Sequence, residues 1–213
     1  MDVAIVGSGG REHALGWKIA QSPNAGKLYF LPGNGGTHSL GTNIPIRASD
    51  IDGIVAFAKE KKIELVVVGP DDALAAGLVD ELQRHGIRAF GPMAAAASIE
   101  SSKAATKYRM RDWGIPTAGF RIFDGYDEAL VYLREHGAPV VLKADGLALG
   151  KGVYVCKTME EAEASLRTLM RTDLHGDAGK IVVIEDCLEG EEFSAHFLSD
   201  GIAAHLFPFL QDH

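Results

Sequence analysis

The chain has 213 residues, 46% hydrophobic and 23% charged, the balance of a soluble globular protein with one large or two small domains. A formal net charge of -8 argues against a general nucleic-acid binder, which carries a basic surface. Cys156 and Cys187 form no CxxC and no disulfide framework; the N-terminus lacks a secretory pattern, and no apolar run nears the ~18 residues of a membrane span, so a soluble, cytoplasmic protein is expected.

In chain order, Val3 to Val6 reads as a buried strand ending at Gly7, followed by a helix over 12–21 and a strand from Leu28 to Leu31. Ile51, Ile54, Val55 and Ala58 mark a helix, Leu65 to Val68 a strand, and Leu74, Leu78 and Leu82 the face of one further helix. A strand from Ile87 to Phe90 closes the series, and this alternation predicts a parallel sheet with helices on both sides. Residues 94–113 read as helical, and Ile115-Pro116 as an extended linker. An α+β unit follows: strands near 119–123, 140–144, 153–157 and 181–185, with helices over 127–136 and 159–171. Phe193 to Leu198 and Ile202 to Phe207 read as a hairpin with a type I′ turn at Asp200-Gly201. Two strands need further cover, so the chain is expected to be the front part of a longer protein.

Gly7-Ser8-Gly9-Gly10 follows a strand and opens a helix, where backbone N–H groups favour an anion. Glu12 stands at the third glycine position of the dinucleotide fingerprint, so a single phosphate fits better than a pyrophosphate. Arg11 and His13 add donors. Gly33 to Thr37 and Gly69 to Asp72 belong on the same sheet edge, and Asp71 or Asp72 is suited to accept from sugar hydroxyls. The strongest local signal is KADGLALGKGV, residues 143–153. A glycine loop between antiparallel strands folds over nucleotide phosphates in protein kinases, and Lys143 and Lys151 supply positive charge here. After the strand ending near Glu185, an extended segment can meet an adenine edge, and a carboxylate beyond it can meet ribose. No residues show metal-ligand spacing, and no catalytic group is assigned.

Taken in order, GSGGREHAL, PGNGGT, VGPDDAL, FGP, Ser102-Lys103, GIPTA, KADGLALGKGV and IEDCLEGEE resemble the phosphoribosylamine–glycine ligases over essentially the whole chain. The resemblance implies an ATP-grasp fold. It divides the chain into a Rossmann-like substrate domain (1–100), a helical linker (101–122), a lid (123–190) and the start of the central ATP-grasp domain (191–213). It implies ligation of glycine to 5-phosphoribosylamine through glycyl phosphate, with release of ADP and phosphate, in purine synthesis. By position, Lys103, Lys143, Gly146, Leu147, Gly150, Lys151 and Gly152 would bind ATP phosphates. Glu185 and Leu188 would meet adenine, and Glu192 the ribose. Gly9, Gly10, Arg11, Glu12, Asp71 and Asp212 would lie on the substrate side. Magnesium ligands are implied in a further C-terminal half, so this chain alone is expected to be inactive. The chain departs from the family pattern at Asp71, Leu149, Phe193 and Leu206 to Leu210. Two other readings remain: a binding module for ATP or a sugar phosphate, complemented by a separate C-terminal half, and an NAD-dependent oxidoreductase, which Glu12 disfavours.

Overall fold

Runs of apolar residues bounded by glycine make strands that are buried on both faces, as parallel sheets require. The computed structural model describes residues 1–146, 152–172, 174 and 176–211. Its first sheet holds β1 (Val3–Gly7), β2 (Leu28–Pro32), β3 (Thr42–Asn43), β4 (Leu65–Val68) and β5 (Ala89–Phe90). All neighbours are parallel, in the order β3-β2-β1-β4-β5. Alternation along the strands sends Val3, Ile5, Leu28, Phe30 and Val67 to the face covered by α1 (Gly10–Ala20) through Leu15 and Ile19. The other face buries Ala4, Val6, Leu31, Val66 and Val68 against α2 (Ile51–Glu60), α3 (Asp71–Ala75), α4 (Leu78–Arg84) and α5 (Ala94–Ser101).

The expectation of one helix through Leu74, Leu78 and Leu82 is corrected. All three side chains are buried, yet the helix breaks at Gly77, whose φ of 87° is left-handed. Only glycine adopts that conformation readily, so the chain turns out of α3 and starts α4 afresh there. The strand expected from Ile87 pairs only through Ala89 and Phe90. The helical stretch 94–113 is likewise two helices. Ser102 accepts from the Ala105 N–H and starts α6 (Lys103–Asp112) afresh.

A second, antiparallel sheet holds β6 (Phe120–Phe123), β7 (Val140–Ala144), β8 (Val153–Cys156) and β9 (Val182–Asp186), in the order β6-β9-β7-β8. Since β6 pairs with β9, the stretch read as a linker over 101–122 also contributes to this sheet. One face packs on α7 (Tyr126–His136) and α8 (Met159–Arg171) through Ala129, Leu133, Val140, Leu142, Ala144, Ala162, Leu166, Leu169, Val182 and Ile184. Thr158 and Glu161 cap α8 reciprocally: Thr158 Oγ1 accepts from the Glu161 N–H, and Glu161 Oε2 from the Thr158 N–H. Cys156 lies in this core, where burial pushes its thiol up.

The third sheet pairs β10 (Phe197–Ser199) with β11 (Ala204–Leu206). Its turn corrects the two-residue expectation. Ser199 pairs with Ala204 and leaves 200–203 in the loop, where the Asp200 carboxylate accepts from the N–H groups of Ala203 and Ile202. Those two donors hold the Asp200 carboxyl below its usual range.

The first and second cores share no residue. Leu166→Ala is therefore expected to destabilise the second core by about 2–5 kcal/mol in urea unfolding. Hydrogen-exchange protection of β1 and β4 amides should be unchanged; its loss would show that the two cores unfold as one.

Candidate functional site

The chain leaves β1 toward β2 and β3, then returns to the other side of β1 as β4. The carboxyl ends of β1 and β4 therefore flank the crevice where open parallel sheets bind ligands. The loops after these strands meet there. The Arg11 guanidinium crosses between them, donating to Gly69 O at 2.7 Å and to Asp71 Oδ1 at 3.1 Å. The Glu12 side chain, 5% exposed, fills the space that glycines leave on both sides. A Cβ at Gly7 would come within 2.6 Å of it, and one at Gly69 would overlap Oε1. Glu12 Oε2 accepts from the Gly9 N–H at 2.7 Å, satisfying one of the free donors at the start of α1. The β2 loop joins the same edge: Asn34 Nδ2 donates to Ser8 O at 2.9 Å, and a Cβ at Gly36 would press on His13. Gly10, by contrast, has open space where a Cβ would stand.

A second cluster forms where α6 meets the second sheet. Lys143 and Glu185 point away from the α7–α8 core, on the same face of neighbouring strands. Lys143 pairs with Val183 and Glu185 with Val141, so the two charges are diagonal neighbours. Lys143 Nζ donates to Glu185 Oε2 at 2.9 Å. Lys107, reaching from α6, meets the same oxygen at 3.0 Å. Glu185 is 5% exposed, and its Oε1 is buried without a partner. One carboxylate thus serves two ammonium groups through a single oxygen. At the start of α6, Asp145 Oδ1 accepts from the Ala104 N–H at 2.6 Å, and Lys103 Nζ donates to Gly146 O at 3.2 Å. The helix N-terminus favours that negative charge and pins the entry to the glycine loop.

Two cavities open beside these groups. One, about 650 Å³, is lined by Gly7 to Glu12, Asp71, Asp72, Glu100, Lys103 and Val153, among others. The other, about 300 Å³, is lined by Glu100, Lys103, Lys107, Lys143, Val153 and Glu185, among others. They share Glu100, Lys103 and Val153. A groove of about 680 Å³ beside α1 is mainly apolar, with Gln83 and Arg88 its polar side chains, and lacks convergent charge.

Residues 1–100 match the family model "Phosphoribosylglycinamide synthetase, N domain", and residues 101–213 the model "Phosphoribosylglycinamide synthetase, ATP-grasp (A) domain". The chain belongs to the phosphoribosylglycinamide synthetase family. It is 49% identical over 215 residues to a phosphoribosylamine–glycine ligase of Vibrio vulnificus, and 47% identical over 213 residues to one of Halalkalibacterium halodurans. All of this chain is covered in each comparison, and 50% of each relative, so the chain spans about half their length. The crystal structure of the Thermotoga maritima phosphoribosylamine–glycine ligase superposes with a TM-score of 0.78 at 33% identity, covering 98% of this chain and 49% of that one. An ADP complex of an N5-carboxyaminoimidazole ribonucleotide synthetase shares the fold, with a TM-score of 0.74 at 19% identity over 98% of this chain and 53% of that one.

The structure brings Lys103, Lys143 and Glu185 of the family pattern to one cavity, and Gly9, Gly10, Arg11, Glu12 and Asp71 to its neighbour. Asp71 meets Arg11 through Oδ1, Asp72 Oδ1 accepts from the Ala73 N–H at 2.8 Å, and both residues line the 650 Å³ cavity. Glu185 stands in the ladder between β6 and β7 with its carboxylate on two lysines. Leu188, past the end of β9, is 73% exposed, and Glu192 is exposed as well. Gly146 packs on Ala178, and Gly152 O accepts from the Ala144 N–H. Leu147, Gly150, Lys151 and Asp212 lie outside the described residues. Lys107 is the residue that sequence reasoning passed over. Its signal was present, because Lys103 and Lys107 stand four apart on one helix face.

Gly10→Ala should change stability by no more than about 0.5 kcal/mol in urea unfolding, since nothing occupies the added methyl's place. Gly69→Ala should cost about 1–3 kcal/mol, because Glu12 must move. Equal effects would contradict the packing of Glu12 between the two loops.

Proposed function

We propose that this chain supplies the nucleotide-binding and amine-binding sides of an ATP-dependent ligase that joins glycine to 5-phosphoribosylamine. The observation that carries the reading is the pair of cavities meeting at Lys103, one rimmed by lysines from α6 and β7, the other by the helix start at Gly9-Gly10. The chemistry needs such an arrangement. A glycine carboxylate oxygen attacks the γ-phosphorus of ATP, and the bond to the β-phosphate oxygen breaks, releasing ADP. The amine of phosphoribosylamine then attacks the acyl carbon and phosphate leaves. The acyl phosphate and the amine must sit side by side, so adjoining sites serve as an entropy trap. Lys103 and Lys143 are suited to hold the phosphates as point charges during transfer. The free N–H groups at the start of α1 and the space beside Gly10 suit the 5-phosphate of the amine substrate.

Leu188, past the end of β9, would meet the adenine edge through its backbone beside Glu185, with Glu192 beyond for ribose. Magnesium is implied by the family resemblance. Among the described residues no group of three or more His, Cys, Asp or Glu is arranged to hold a metal ion, and no step here is routed through one. The ribbon of β10 and β11 exposes Phe193, Phe197, Ile202, Leu206, Phe207 and Phe209, which supports pairing with further sheet from a C-terminal half.

Calorimetry tests the nucleotide side of this reading. ATP is expected to bind and NADH not, and Lys143→Met should weaken ATP by about 10- to 100-fold. ATP should also slow alkylation of Cys187, which is half-buried, while Cys156 stays unreactive throughout. Ligase activity is expected only after a C-terminal half from a relative is added. ATP binding without activity in that mixture would defeat the ligase reading, and NADH binding in place of ATP would defeat the nucleotide reading as well.

A further inference from the structure

Lys107 and Lys143 share one carboxylate oxygen but are held very differently. Lys107 is 8% exposed and has three contacts: Glu185 Oε2 at 3.0 Å, Thr117 Oγ1 at 2.6 Å, and the Phe120 ring at 5.6 Å from its centroid. The Lys143 side chain is 27% exposed, and among the described residues its ammonium meets Glu185 alone. Both line the smaller cavity. With Oε1 unpartnered, the buried carboxylate is compensated entirely through Oε2. It can release one lysine and remain paired; it cannot release both without leaving a bare charge out of water. The three groups together carry one positive charge in excess, which suits an incoming anion.

We propose that Lys107 is a positioning residue: by staying on Glu185 as a fixed counter-ion, it frees the Lys143 ammonium to move from that carboxylate to a nucleotide phosphate. This rests on the nucleotide reading of the cavity. Without Lys107, Glu185 has only Lys143, and binding a phosphate must either strip the carboxylate or forgo the lysine. A side chain that never touches the nucleotide thereby sets its affinity.

The test uses the full chain with Lys107→Met, Lys143→Met, Glu185→Gln and the pair Lys107→Met with Glu185→Gln. Thermal unfolding without nucleotide should rank Lys107→Met as more damaging than Lys143→Met; equal losses would mean the lysines are interchangeable and overturn the proposal. By calorimetry, Lys107→Met should weaken ATP about tenfold or more, and adding Glu185→Gln should restore affinity to within about threefold of Glu185→Gln alone. A purely structural role for Lys107 would show no such rescue. If Lys107→Met does not fold, Glu185→Gln with and without Lys107→Met decides: matching ATP affinities support the proposal, and a further loss on removing Lys107 points to direct nucleotide contact and overturns it. Wild type binding ATP while Lys107→Met binds equally well overturns this proposal alone. Wild type failing to bind ATP overturns the nucleotide reading as well.

Discussion

A buried carboxylate with more cations than it needs holds α6 against the second sheet. Glu185 sits on the face of the second sheet that turns from its own helices, and Lys107 reaches it from α6. Breaking such a pair by removing one partner typically costs about 3–5 kcal/mol. The contact therefore fixes α6 against β9, and α6 in turn carries Lys103 to the junction of the two cavities. Asp145 on the α6 N-terminus fixes the same junction from the other side, through Ala104 and Ser102. The docking of α6 on the second sheet is thus held by charge and hydrogen bonds, and the apolar clusters of the first and second sheets share no residue.

In the first sheet a single side chain plays a comparable part. Glu12 stands where a dinucleotide-binding turn would have its third glycine, and it fills the gap between Gly7 and Gly69. That filling ties the β1 and β4 loops together at the topological switch point and narrows the crevice. Gly10 remains open at its rim. The outcome is a crevice partly filled by Glu12, next to a cleft rimmed by lysines.

Much of this was legible because the signals are local. Val3 to Val6 and Leu65 to Val68 are continuous apolar runs, as strands covered on both faces must be, and Ala162, Leu166 and Leu169 repeat at helical spacing on α8. The glycines and lysines of the two candidate sites stood in order along the chain. What escaped depends on distance or on one backbone angle. Gly77 interrupts an apolar face whose spacing alone reads as unbroken helix. Thr42 and Asn43 form an edge strand two residues long, too short for any period. Asp200 takes two backbone donors and widens a turn whose Asp-Gly pair suggests a tighter one. The role of Lys107 depends on strand register and on α6 docking beside β9, and neither is written in local sequence. The pairing of Glu185 with Lys143 was hidden for the same reason: its diagonal neighbour across β7 is not a sequence neighbour.

The most direct measurement is a crystal structure of this chain with a non-hydrolysable ATP analogue. The account predicts phosphates in the cleft between α6 and the second sheet, with Lys143 Nζ about 2.7–2.9 Å from a phosphate oxygen and Lys107 still paired to Glu185. A bound analogue with Lys143 still on Glu185, or phosphates lodged away from Lys103 and Lys143, would contradict it.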